Sequence, residues 1–246
     1  MHSGKALRRL PLKGADNTRD LGGYPCAAGS TRWGVFLRSD NPGGLTADDM
    51  DRLRRYGVRD AIDLRSDDEC AARPSPLTFA NGFGGHHVPL LDNIHSSNFE
   101  GDLPGSMSGL YISLLDNAGK DILRIFQVLA AAKGGVFFHC AVGKDRTGVV
   151  AMLLLQLAGV ADADIVADYA VSEIYMREFV DKYSQGVMGA EVPLHVLRSI
   201  PDSMWRVLEH LHNTHGGAEA YLRKQGLSAA EIGAIRDRFV ERWTWD

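Results

Sequence analysis

The sequence predicts an α/β fold: a central, mostly parallel sheet flanked by helices, with a helical C-terminal half. Three observations carry that expectation. Up to His139, short apolar runs bounded by Gly and Pro alternate with amphipathic stretches, the pattern of strands joined by helical crossovers. From Val149 onward the apolar positions recur at helical spacing. The chain has 246 residues, 45% hydrophobic and 24% charged, which suits a single domain over 1–246 with a sizeable core.

The elements follow in order. Residues 1 to about 33 are rich in Gly, Arg and Asp and show little periodicity. Gly34 to Arg38 reads as a short strand. Thr46 then caps a helix whose apolar stripe is Met50, Leu53 and Tyr56, with Asp48 and Asp49 favourably placed at its N-terminus. Gly57 ends that helix, and Arg59 to Leu64 reads as the next strand. Pro74-Ser75-Pro76 marks a break. Gly85 to Leu91 is a strand weakened by Pro89, and residues 92–106 read as a surface loop. Tyr111 to Leu115 and Ile122 to Ala131 read as helical, Gly134-Gly135 stop the second, and Val136 to His139 is a strand. Val149 to Leu157 and Asp162 to Phe179 read as helices. Ser228-Ala229-Ala230-Glu231 is a capping box opening a last amphipathic helix. Residues 183–201 are irregular and suit a lid or insertion. No repeat, heptad seam or low-complexity tract is present.

Composition narrows the function classes. The net charge of −4 gives no bulk attraction to nucleic acid or anionic membranes, so an anion site has to be built locally. The most apolar run, Val149 to Val160, is too short and interrupted for stable membrane insertion. Cys26, Cys70 and Cys140 are odd in number and lack CxxC spacing, which argues against disulfides and zinc. A reducing, cytoplasmic setting follows, because the N-terminal stretch has no apolar region of a standard signal peptide. Export by another route stays open. His210, His212 and His215 do not share one helix face, and no metal site is expected from them.

The stretch His139-Cys140-Ala141-Val142-Gly143-Lys144-Asp145-Arg146-Thr147-Gly148 lies between a strand and a helix. Backbone N–H groups converge at such a helix N-terminus and the dipole favours an anion. Gly143 and Gly148 permit unusual backbone angles and close ligand approach. Cys140 would face those N–H groups as a thiolate nucleophile, and Arg146 offers a planar fork matching two phosphate oxygens. Gly143-Lys144 superficially suggests a nucleotide P-loop. The glycine expected five residues earlier is Phe138, however, and Asp145 replaces the required Ser or Thr. A buried structural cysteine beside a solvated turn would not explain all these residue types at fixed offsets.

Cys140, five intervening residues and Arg146 form a string that resembles the signature of cysteine-dependent protein tyrosine phosphatases. With Lys144-Asp145 before Arg146, it is most similar to the atypical bacterial tyrosine and lipid phosphatases. Asn17 to Gly23, Leu37-Arg38-Ser39, Ile62 to Arg65 and Ala220-Tyr221-Leu222 before Gly226-Leu227 resemble further segments of that family. The resemblance implies a phosphatase domain acting on phosphotyrosine, with phosphoserine, phosphothreonine and phosphoinositides as further substrates. It also implies a phosphocysteine intermediate on Cys140 and phosphate held by Arg146 and the backbone of Ala141, Val142, Gly143, Lys144, Asp145 and Arg146. Thr147 would hydrogen-bond the thiolate. His139 would point away from substrate and tune Cys140. Inorganic phosphate would fit the same loop, and no metal or organic cofactor is implied.

None of Trp33, Trp205, Trp243 and Trp245 begins a Trp-Pro-Asp string, which carries the proton donor in many such enzymes. The resembled branch places it within the loop, here Asp145, with Asp92 and Asp63 as alternatives. Lys144 is either a solvated charge or a second anion contact, although Ala141 and Val142 weaken the lipid reading. Asn17, Arg19 and Asp20 read as a buried network bracing the loop, with Arg38 and Arg65 as structural ion-pair partners. Two rival functions remain. A phosphate-binding module needs no nucleophile. A sulfurtransferase or arsenate reductase would need another loop length or a resolving cysteine near Cys140.

Overall fold

The computed structural model describes residues 8–90, 105–184 and 193–243. Its strands are β1 (Arg19–Asp20), β2 (Pro25–Cys26), β3 (Gly29–Thr31), β4 (Phe36–Ser39), β5 (Val58–Asp63), β6 (Gly84–His87), β7 (Gly135–His139) and β8 (Val240–Arg242). The helices α1 (Ala47–Tyr56), α2 (Asp67–Ala72), α3 (Met107–Asn117) and α4 (Gly119–Ala131) precede β7. After it come α5 (Arg146–Leu157), α6 (Asp162–Ala170), α7 (Ser172–Tyr175), α8 (Arg177–Ser184), α9 (Leu194–Leu197), α10 (Pro201–His215), α11 (Ala218–Gln225) and α12 (Ala229–Phe239).

The main sheet runs β1-β4-β7-β5-β6, parallel throughout except for the β1–β4 pair. The expected mostly parallel sheet and helical second half are both present. Side chains alternate across it. Phe36, Ile62, Val136 and Phe138 join the large core formed with α3 to α6 and α10 to α12. Leu37, Ala61 and Phe137 face a smaller core with Leu53 of α1. β7 is buried along its whole length, so the segment it delivers starts from a fixed platform. A second antiparallel sheet, β2-β3-β8, joins the N-terminal segment to the end of the chain.

Every expected strand and helix among the described residues has a counterpart, although several bounds shift by three or four residues. Thr46 caps α1 reciprocally with Asp49, and Gly57 closes it at φ 105°. Ser228 and Glu231 form the expected capping box of α12. Other elements differ. The single helix expected over Asp162 to Phe179 is divided into α6, α7 and the start of α8. Buried Asp168 and Ser172 flank the first break, and both are engaged by Arg19. α2 was not anticipated, although Ser66 and Glu69 form a capping box at its start. The helix after β7 begins at Arg146 rather than Val149, so Arg146 and Thr147 belong to its first turn. The expected loop over 92–106 lies mostly outside the described residues, as does Asp92. Among the described residues no helix is long and apolar enough to cross a membrane.

Candidate active site

β7 ends at His139 and α5 starts at Arg146. The six residues between them turn sharply because Gly143 adopts φ 72°, a left-handed angle that disfavours a side chain. A Cβ there would also lie 2.5 Å from the backbone of Ser39 and Asp40. This turn brings the Gly143 N–H to 3.2 Å from Cys140 Sγ. Cys140 itself is buried, on the large-core side of the sheet.

The loop carbonyls are tied outward. Ala141 O accepts from Asn41 N at 3.1 Å. Asn17 Nδ2 donates to Val142 O at 3.1 Å and to Gly143 O at 3.2 Å. Arg38 donates to Gly143 O at 2.8 Å. The brace continues behind the loop, where Asp168 accepts from Arg38 at 2.5 Å and from Arg19 at 2.9 Å. Burial raises the Asp168 carboxyl, but the two guanidinium groups outweigh it and hold it down at about 2. Asn17 and Arg19 thus serve the loop as the sequence suggested, and Arg38, expected as an ion-pair partner, bonds the loop as well. Asp20 does not: it accepts from Gly22 N, Gly34 N and Tyr56 Oη and shapes the β1–β4 connection instead.

Arg146 is buried and forked against Glu69 of α2. Nη1 lies 2.7 Å from Oε2 and Nη2 lies 2.8 Å from Oε1. Such a bidentate pair fixes the plane of a guanidinium. Glu69 also accepts from Ser66 N at 2.8 Å, so one carboxylate caps α2 and orients Arg146. The motif reading missed Glu69. Its signal in the sequence is the Ser66-Asp67-Asp68-Glu69 capping box.

Asp145 stands just before α5 as its N-cap residue, and its side chain does not cap. Tyr111 of α3 donates to Asp145 Oδ1 at 2.5 Å, and the Tyr111 and Tyr169 hydroxyls lie 2.9 Å apart. Burial, then the nearby carboxylate, push Tyr111 well above the usual phenol value, so it remains a hydrogen-bond donor. Neither tyrosine carried a sequence signal, because nothing in the spacing of α3 and α6 points to the loop.

Both sequence readings of Lys144 give way to a third. Its side chain is buried and donates to Val196 O and Arg198 O, with Nζ 3.4 Å from Asp145 Oδ1. It is neither solvated nor presented to a second phosphate; it fastens residues 196–198 to the loop. Glu173 holds the same segment through Arg198 and the Ser199 N–H, each at 2.7 Å. Residues 185–192 of the expected lid or insertion lie outside the described residues.

Asp63 lies on the other side of β7, forked to Arg65 at 2.6 and 2.9 Å. Burial raises its carboxyl, yet the Arg65 hydrogen bond and the charges of His139 and Arg65 keep it below the ordinary carboxylate range. His139 points there, with Nε2 3.7 Å from Asp63 Oδ2. Burial pushes His139 down to about 4, which leaves a neutral imidazole at pH 7. The bond expected from Thr147 to Cys140 is not formed. Thr147 Oγ1 is buried without a hydrogen-bond partner, and the Gly143 N–H approaches the sulfur instead.

Residues 10–241 match the model of the family described as the tyrosine phosphatase family. The chain belongs to that family. It is 34% identical over 226 residues to a tyrosine-protein phosphatase of Nostoc commune, covering 87% of this chain and 76% of that one. It is 27% identical over 277 residues to the triple specificity protein phosphatase PtpB of Mycobacterium tuberculosis, covering 94% and 98%. A solved structure of P. aeruginosa TpbA aligns over 82% of this chain and 84% of that one, with 18% identity and a TM-score of 0.34. The protein is therefore a phosphatase of the protein-tyrosine-phosphatase type, a phosphoric monoester hydrolase.

Proposed function

We propose that this phosphatase hydrolyses phosphotyrosine in proteins through a phosphocysteine on Cys140, with Asp145 as proton donor. The observation that carries the reading is the loop itself. The Gly143 N–H lies 3.2 Å from Cys140 Sγ, and the Arg146 guanidinium is forked onto Glu69 at the first turn of α5. Sulfur attacks phosphorus in line, the S–P bond forms and the P–O bond to the tyrosine breaks. Asp145 delivers its proton to the departing phenolate oxygen. Arg146, the loop N–H groups of residues 141–146 and the α5 dipole stabilise the equatorial oxygens. Water, giving its proton to Asp145, then attacks phosphorus. The S–P bond breaks and phosphate leaves.

Asp145 is favoured over Asp63 because it lies in the loop next to Arg146, whereas Asp63, at the end of β5, is forked to Arg65. Phosphotyrosine is favoured over phosphoinositides because Lys144 is committed to Val196 and Arg198, and Ala141 and Val142 carry no charge. One relative is named a triple specificity phosphatase, so phosphoserine and phosphothreonine belong in the substrate panel. A catalytic thiol has to stay reduced, which fits a cytoplasmic setting. Turnover of p-nitrophenyl phosphate and of a phosphotyrosine peptide tests the reading. Cys140→Ser is expected to be inactive. Asp145→Ala is expected to lose more activity on phenyl phosphate, whose leaving group is poor, than on p-nitrophenyl phosphate. Equal losses on both would remove Asp145 as the acid, and a faster wild-type rate on phosphoinositides than on phosphopeptides would reverse the substrate preference.

A further inference from the structure

Two histidines of α10 and one aspartate of α3 meet at a single oxygen. His210 Nε2 and His215 Nε2 each lie 3.0 Å from Asp116 Oδ1. The three candidate ligand atoms all lie within 4.8 Å of one another. A five-residue offset places two side chains about 140° apart around a helix, so spacing alone does not unite His210 with His215. They converge because Asp116 reaches them from the neighbouring helix.

The rings are held in place before any ligand arrives. His215 packs edge-on against Tyr221 at 5.1 Å, and Tyr221 Oη donates to Leu115 O at 2.8 Å, next to Asp116. His210 and His215 pack edge-on at 5.4 Å. Thr214 Oγ1 lies 3.3 Å from His210 Nδ1, where it can accept a hydrogen bond from the ring N–H when Nε2 binds a metal. Such an outer partner orients a histidine ligand. Asp116 is 38% exposed at its side chain and His210 21%, so an ion can reach the point of convergence from solvent.

The geometry points to a divalent transition-metal site formed by Asp116, His210 and His215, with Zn²⁺ as the preferred ion and water completing its coordination. Two imidazole nitrogens and one carboxylate oxygen suit zinc, whereas Mg²⁺ and Ca²⁺ seek all-oxygen shells. Zinc–ligand bonds of about 2.0–2.2 Å put neighbouring tetrahedral ligand atoms about 3.3 Å apart. Each histidine therefore moves a few tenths of an ångström away from Asp116, and the two rings, whose ligand atoms lie within 4.8 Å, draw together. Both imidazoles bind as neutral rings, Nε2 to the metal and the proton on Nδ1. At His215 that Nδ1 is buried without a hydrogen-bond partner, and a missing outer partner weakens such sites about 10–100-fold. The site is therefore an exchangeable one with micromolar affinity, a staple between α3 and α10.

The test uses chelator-stripped Cys140→Ser protein, which removes the proposed catalytic thiol as a competing zinc ligand. Calorimetry with Zn²⁺ is expected to show one micromolar equivalent. Asp116→Asn and His210→Ala, in that background, are each expected to weaken it at least tenfold. His212→Ala is the control, because His212 pairs with Asp162 at 2.9 Å and lies outside the cluster. Co²⁺ bound there should give visible d–d bands without thiolate charge transfer. Asp116→Asn and His210→Ala alter partly exposed side chains, and metal-free thermal unfolding of each checks that the fold is retained. Absence of a micromolar equivalent, equal affinity in Asp116→Asn and His210→Ala, or thiolate bands in the cobalt form would each overturn the assignment.

Discussion

Replacing Glu69 tests whether Arg146 owes its placement to α2. In the structure both Glu69 oxygens accept from the Arg146 fork, at 2.7 and 2.8 Å, and Oε2 also accepts from Ser66 N. Both side chains are buried. Removing one partner of a buried ion pair costs about 3–5 kcal/mol, mostly because the remaining charge is stranded. Glu69→Gln keeps the shape but turns one acceptor into an NH₂ donor. That donor faces a guanidinium N–H in either orientation, and the Ser66 N–H as well in one of them, so a loss of at least about 3 kcal/mol is expected. Catalysis should suffer separately. A misplacement of about 1 Å can cost about 100-fold in rate, near 2.7 kcal/mol of barrier. Urea unfolding at pH 7 measures the first loss and steady-state hydrolysis of p-nitrophenyl phosphate the second. A Glu69→Gln variant with wild-type unfolding midpoint and kcat/KM within threefold of wild type would refute the reasoning.

Three further outcomes are expected. Tyr111→Phe removes the donor that orients the Asp145 carboxyl; a misplacement of about 1 Å can cost about 100-fold in rate, so kcat should fall at least tenfold, more with phenyl phosphate than with p-nitrophenyl phosphate, and equal losses on the two would detach Tyr111 from the proton donor. Gly143→Ala forces a side chain into φ 72° and to within 2.5 Å of the Ser39 and Asp40 backbone; the angle alone costs about 1–2 kcal/mol, and circular-dichroism melting together with activity should show a less stable, inactive protein. The pH dependence of stability has a worked sign. His139 is neutral in the folded state down to about 4, while the unfolded chain takes up the proton near 6.5, so stability is complete above 6.5 and falls by about 3 kcal/mol on reaching pH 4. Asp168, ionised down to about 2 when folded, adds its loss only as pH drops through 3.8 towards 2. Urea unfolding of the wild type and His139→Gln between pH 7 and 4 separates the two, since the variant should lack the upper limb.

The sequence disclosed what depends on neighbours along the chain. The Cys140 to Arg146 spacing, the strand before it and the helix after it are local, and so are the capping boxes at Thr46 and Ser228. Asn17, Arg19 and Asp20 read as a buried polar brace, of which Asn17 and Arg19 reach the loop and Asp20 binds the Gly22 and Gly34 N–H groups instead. Asp168 and Ser172, the groups that complete it, sit in helices with no motif of their own. Lys144 shows the limit most clearly. A lysine inside an anion-binding loop suggests contact with the anion, yet its orientation depends on carbonyls more than fifty residues away in the chain. Tyr111 was likewise read as one helical position among others. Its hydroxyl became relevant only when α3 packed beside α6 and Asp145.

The brace also explains why the chain tolerates so much buried charge. Arg19, Arg38 and Asp168 are each almost wholly removed from water, and desolvating such groups costs more than a single ion pair returns. Apolar residues of similar volume would fill the space more cheaply. They could not accept the orders that the loop imposes. The carbonyls of residues 142–144 are directed to Asn17 and Arg38, and each would be a buried acceptor without a partner if those side chains were apolar. A peptide plane whose carbonyl is drawn outward has its N–H on the opposite side. Asn17 and Arg38 are thus the counterpart of the Gly143 N–H that faces Cys140, and Asp168 is the charge that keeps the Arg19 and Arg38 guanidiniums in place. The stability given up behind the loop is what sets the electrostatics in front of it.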